Sequence, residues 1–77
     1  MNALRLSYAI ETLGLAIRLF EEERARLDAE ASRLRKAGMP DLAKLAETRW
    51  NVVVSYEGHC RRMLEQLRDL GGLELET

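Results

Sequence analysis

The sequence predicts an all-α fold: an antiparallel hairpin of two helices, over about residues 3–37 and 40–70, with coiled-coil-like heptad packing. Three observations predict it. Apolar residues recur at alternating steps of four and three in both halves of the chain. The single proline, Pro40, stands two positions after Gly38 near the middle. Folding the chain there brings the two apolar stripes into register.

The first helix carries the clearest stripe: Leu6, Ile10, Leu13, Ile17, Phe20, Leu27, Ala31 and Leu34, with Arg24 in the one polar slot. Steps of three and four keep side chains on one face of a helix, and an average of 3.5 makes that face a narrow seam suited to another helix. Asn2 is a suitable N-cap, and no proline interrupts residues 3–37, so one helix of roughly 50 Å is expected. Glu22 with Arg26, and Glu30 with Arg33, stand at spacings that let opposite charges meet on its surface.

Gly38 can take the positive φ that ends a helix, and Pro40 suits the first turn of the next one. Asp41 places a carboxylate at that helix's positive end. A linker this short folds the second helix back on the first. Its expected seam is Leu42, Ala46, Arg49, Val53, Tyr56, Cys60, Met63, Leu67 and Leu70, and each residue faces a seam position of the first helix whose number completes a sum of 76 or 77. Agreement of turn, period and length across levels supports the hairpin. Val52, Val53 and Val54 alone read as a short strand, which the helix-forming flanks outweigh. Gly71 and Gly72 are expected to stop the helix and leave residues 71–77 as a flexible tail of a single domain, 1–77.

Composition narrows the function. Seventy-seven residues build a small core, and a core of this size supplies only about 3–5 kcal/mol, so such chains usually gain stability from a partner, a metal or disulfides. Cys60 is the only cysteine, which excludes an internal disulfide and suits a reducing, cytoplasmic setting. Twelve basic and thirteen acidic side chains leave a net charge of −1, with no bulk field drawing the chain to nucleic acid or an anionic membrane. Arg5, Glu11 and Arg18 break the apolar N-terminal run, which reads neither as a signal segment nor as a membrane span.

Association is the remaining route to stability, and surplus apolar surface points to it. Leu4, Tyr8, Leu15 and Leu19 form a second face on the first helix, while Leu45, Trp50, Val52 and Leu64 flank the seam of the second. A patch of this extent marks an interface. A homodimer forming a four-helix bundle would cover it, and the two apolar faces of the first helix would also suit a tetramer or a different protein partner.

Candidate chemistry is sparse. Arg24 and Arg49 form polar core layers that fix register, or else an internal anion site, with guanidinium groups expected to reach Glu21, Glu23 or Glu47. His59 and Cys60 are adjacent, hence about 100° apart on a helix, and do not make up the four ligands of a structural zinc site. Glu21 falls across from Glu57, and paired carboxylates on facing helices are how ferritin-like bundles hold metals. Residues 45–64, LAETRWNVVVSYEGHCRRML, resemble the second helix of a rubrerythrin-like half-bundle. That resemblance implies a metal set of Glu21, Glu57 and His59, but the family's motif places Glu three residues before His, and here that position is Tyr56. The simpler expectation pairs Glu57 with Arg61.

An RNA-binding dimer of the Rop type is a further architectural analogy, resting on Arg33, Arg35, Lys36, Arg61, Arg62 and Arg68. Those cations are interleaved with acids and lack stacking aromatics, so a solvated face is expected and nucleic acid is not. No glycine-rich phosphate loop or nucleophile triad is present. The expected function is therefore non-enzymatic, without a cofactor: a hairpin that self-associates as an interaction or assembly module.

Overall fold

Chain reversal depends on a few backbone groups after Leu34. Gly38 adopts φ +76°, which an L side chain rarely tolerates. With that residue left-handed, the Met39 N–H donates to the Leu34 carbonyl at 2.8 Å and the Gly38 N–H to the Arg35 carbonyl at 3.1 Å. These are the two bonds of a Schellman motif, and they satisfy carbonyls that the helix end would otherwise orphan. Met39 also begins the second helix, because its carbonyl accepts from the Ala43 N–H at 3.1 Å. Pro40 then occupies the first helical position, where its missing N–H has no intrahelical partner to lose.

The resulting computed structural model contains two helices, α1 (Ala3–Lys36) and α2 (Pro40–Glu76), packed against each other as a hairpin of 60 × 14 × 13 Å. It describes the backbone of residues 3–76 and the side chains of residues 4–71. The expected N-cap, Asn2, lies outside them. The valine run 52–54 is helical, and no strand occurs among the described residues.

Every seam position expected on α1 is buried or half-buried, including Arg24. On α2 only half of the expected seam faces inward. Ala46, Val53, Cys60 and Leu67 are covered, but Leu42, Arg49, Tyr56, Met63 and Leu70 are exposed. Their places are taken by the next residue in each case: Ala43, Trp50, Glu57, Leu64 and Gly71. The inward stripe of α2 is thus turned about 50° around the helix axis, half of one residue's step.

Size explains the turn. Two helices in contact leave little room between their backbones, and small residues at the ends of α2 let them approach. Near the loop, Ala31, Ala43 and Ala46 form a tight cluster with Leu34 packed on it. At the open end, a Cβ built on Gly71 would lie 2.9 Å from Leu6 Cδ2, so the two helices meet where that side chain is missing. Gly71 and Gly72 therefore do not end α2 at Leu70; the helix runs on to Glu76. A helical glycine costs only about 1 kcal/mol, less than close packing can return. The expected register holds where Phe20 stacks on Tyr56, ring centroids 6.3 Å apart.

Candidate functional site

The rotated stripe gives the hairpin two unlike flanks. On one, charged side chains cross between the helices. Glu57 sits at an inward position of α2 and is only 7 % exposed. Arg24 of α1 brings Nε to 3.2 Å from Glu57 Oε1, and Arg61, one turn along α2, donates from Nε to Glu57 Oε2 at 3.0 Å. Arg61 also bonds Glu21 of α1, so Glu21, Arg24, Glu57 and Arg61 form one network. Nearer the loop, Arg35 pairs with Glu47.

The two oxygens of Glu57 differ. Oε2 accepts a directed hydrogen bond; Oε1 lies close enough to Arg24 for charge compensation but has no aligned donor. Two guanidinium groups thus flank one buried carboxyl group. Hydrogen bonding to Glu57, with the added bond to Glu21, holds the Arg61 guanidinium's pKa above its ordinary value. The bond from Arg35 holds the Glu47 carboxyl below its own ordinary value.

This network locates the residues of the metal reading. Glu21 and Glu57 do come together, with Arg61 between them. His59 is exposed and stands two residues from Glu57, about 200° around the helix. No group of three or more His, Cys, Asp or Glu side chains suited to a metal ion occurs among the described residues. The expected Glu57–Arg61 pair is present. Arg24 reaches Glu57, not Glu21, Glu23 or Glu47, and Arg49 is an exposed residue instead of a core layer.

The opposite flank is open, with an apolar floor and Glu23, Glu30, Thr48 and Arg49 along its sides. A shallow groove runs beside the loop, floored by Leu27, Leu34 and Ala46 and walled by Leu42 and Leu45 of α2. It continues past Arg49 to Glu23, Val52 and Val53. Glu23 is hydrogen-bonded by Arg26, with Nε to Oε2 at 3.0 Å. That bond, followed by the charges of Arg26 and Arg49, holds its carboxyl below the ordinary value. Further from the loop, Tyr56, Met63 and Leu70 continue the exposed column that begins with Leu42 and Arg49, at steps of seven.

Of the expected interface residues, Leu4, Tyr8, Leu15, Leu19, Leu45 and Val52 are exposed, Leu4 at 83 %. Trp50 is half-buried and Leu64 buried; both belong to the inward stripe and are covered by the hairpin itself. Tyr56, Met63 and Leu70, expected inside, join the open flank. The signal for this exchange was the small residues at 43 and 71, which fit a close seam better than the leucines beside them. No helix among the described residues is long and apolar enough to cross a membrane. Protein-family models, curated proteins and solved structures give no match to the chain.

Proposed function

We propose that the protein is a non-enzymatic interaction or assembly module, in which a second copy covers the open flank to give a four-helix bundle with heptad packing. The observation that carries this reading is the amount of surface left over. The hairpin exposes 6030 Å². A compact monomer of 8.8 kDa would expose about 4,800 Å². The difference, roughly 1,200 Å², exceeds the ~800 Å² per partner of a standard interface. Apolar side chains such as Leu45, 62 % exposed, and Tyr56, 58 % exposed, account for the character of that surface. The ion-paired flank already has its charges satisfied and offers less to a partner.

Light scattering across a dilution series tests the reading. A dimer or tetramer mass that falls to the monomer only on dilution is expected; a monomer at all concentrations would refute self-association. Truncating Leu45 and Val52, both exposed on that flank, to Ala is expected to shift that transition to higher concentration, and an unmoved transition would remove both side chains from the interface.

A further inference from the structure

We propose that two copies pair through their open flanks with both loops at the same end, so that α1 of each hairpin lies over α2 of the other. This inference rests on the self-association reading and adds the geometry of the pair. It is carried by the contrast between the two columns of side chains on that flank. The α1 column, at steps of seven, is Ala9, Ala16, Glu23 and Glu30: small or acidic throughout. The α2 column holds Leu42, Arg49, Tyr56, Met63 and Leu70, which are basic or large, and all five are exposed.

Within one hairpin, Glu23 and Arg49 are at the same height, since both line the same stretch of groove and Arg49 acts on the Glu23 carboxyl. Seven residues further from the loop, Ala16 is level with Tyr56, and seven further again Ala9 is level with Met63. Two-fold pairing of such flat faces has two forms. With loops at opposite ends, α2 covers α2 and α1 covers α1. Large side chains then meet large ones, while the alanine and glutamate column meets itself with heights reversed, so that Ala16 faces Glu23 and no large apolar side chain fills the space over either alanine. With loops at the same end, heights are preserved and columns exchange. Glu23 meets the other copy's arginine, each alanine receives a tyrosine or methionine, and Glu30 falls level with Leu42 beside the loop. Facing large with small residues is what fills a helix interface at native density. The opposite charges of Glu23 and Arg49 fix its register, and only the same-end form brings them together between copies. The two-fold also closes the assembly, because each flank is both donor and receiver.

Pulsed dipolar spectroscopy on spin-labelled full-length protein reads the geometry directly. In a Cys60→Ala background, Met39→Cys places the label on an exposed loop residue, and Lys36→Cys offers a second exposed position one turn earlier. Same-end loops put the two labels on the order of 20 Å apart, about two helix diameters. Opposite ends would separate them by most of the 60 Å length of the hairpin. Short distances from both label positions are expected, and long ones in protein of dimeric mass would overturn this arrangement while leaving self-association intact. No dipolar signal together with monomeric mass would instead overturn self-association itself. A mixing experiment supplies an independent arm. Glu23→Arg and Arg49→Glu should each weaken homodimers about tenfold and combine preferentially with one another, since same-end pairing restores opposite charges at both contacts. Absence of any preference on mixing would also count against the arrangement.

Discussion

Glu57 occupies a place on α2 that an apolar side chain would otherwise fill, and Arg24 and Arg61 both reach its carboxyl group there. Removing one partner of a fully buried pair typically costs 3–5 kcal/mol. Here the cost is smaller, because the Arg24 side chain is 39 % exposed and Arg61 remains bonded to the carboxylate. Arg24→Ala is therefore expected to lower stability by about 1–2 kcal/mol in urea denaturation. Replacing both partners, Arg24→Leu with Glu57→Leu, is expected to return stability to the parent value or above it, since two leucines would fill the seam without desolvating charge. Failure of the double substitution to recover the loss would mean that the network does more than occupy space. Leu27 provides the contrast. It is 1 % exposed, and Leu27→Ala is expected to cost about 2–4 kcal/mol, most of what a core of this size supplies. A denaturation midpoint moved close to zero urea, with helical circular dichroism partly lost at room temperature, is the expected reading.

At the scale of the helix, the sharp end of α1 depends on one left-handed residue. Gly38→Ala keeps the backbone bonds to Leu34 and Arg35 only by holding alanine at φ +76°, at a cost of about 1–2 kcal/mol. A lowered denaturation midpoint with unchanged helix content is expected; no change would mean the turn can re-form without the left-handed residue. The same glycine, with Pro40 behind it, made the hairpin legible in the sequence, because turn chemistry and the stripe of α1 pointed to the same reversal. The stripe of α2 was only half legible. Positions 46, 53, 60 and 67 belong to either candidate seam, and counting apolar residues favoured Leu42, Tyr56 and Leu70 over Ala43, Glu57 and Gly71. Hydrophobicity alone cannot reveal how closely two backbones approach, and that distance made small residues the better fit. Glu57 was legible as a partner of Arg61, but its burial was not, because its other partner, Arg24, lies 33 positions away in sequence and is brought near only once α2 has turned. Gly71 read as a stop when it is a contact. In Gly71→Ala the new methyl meets the flexible end of Leu6, which can shift, and helix propensity improves by up to about 1 kcal/mol. The two effects oppose each other, so the denaturation midpoint is expected to move by less than for Gly38→Ala.

Over the whole molecule, the charged flank and the open flank predict different responses to conditions. Glu47 and Glu23 are held below the ordinary carboxyl value of 4.5, chiefly by hydrogen bonds from Arg35 and Arg26. A carboxyl with a lower pKa in the folded chain binds fewer protons there than when unfolded. Its stabilisation is present above the ordinary value and is lost as pH falls through the lowered one. These pairs are exposed and screened by salt, so a modest drop in denaturation midpoint between pH 7 and pH 3 is expected, smaller in Glu47→Gln and smaller at high ionic strength. The open flank responds to concentration instead. A rod 60 Å long and two helices wide has one seam and leaves leucines such as Leu19 and Leu45 outside it, and side-by-side association is the shortest way to lower its surface. Association that favours the folded chain alone stabilises it by mass action, so the thermal midpoint should rise with protein concentration. The rise should persist at pH 3 if apolar contacts dominate, because burial of leucine and tyrosine does not depend on carboxylate charge. A midpoint independent of concentration over a hundredfold range would mean that the hairpin folds alone and its open flank is reserved for a different protein.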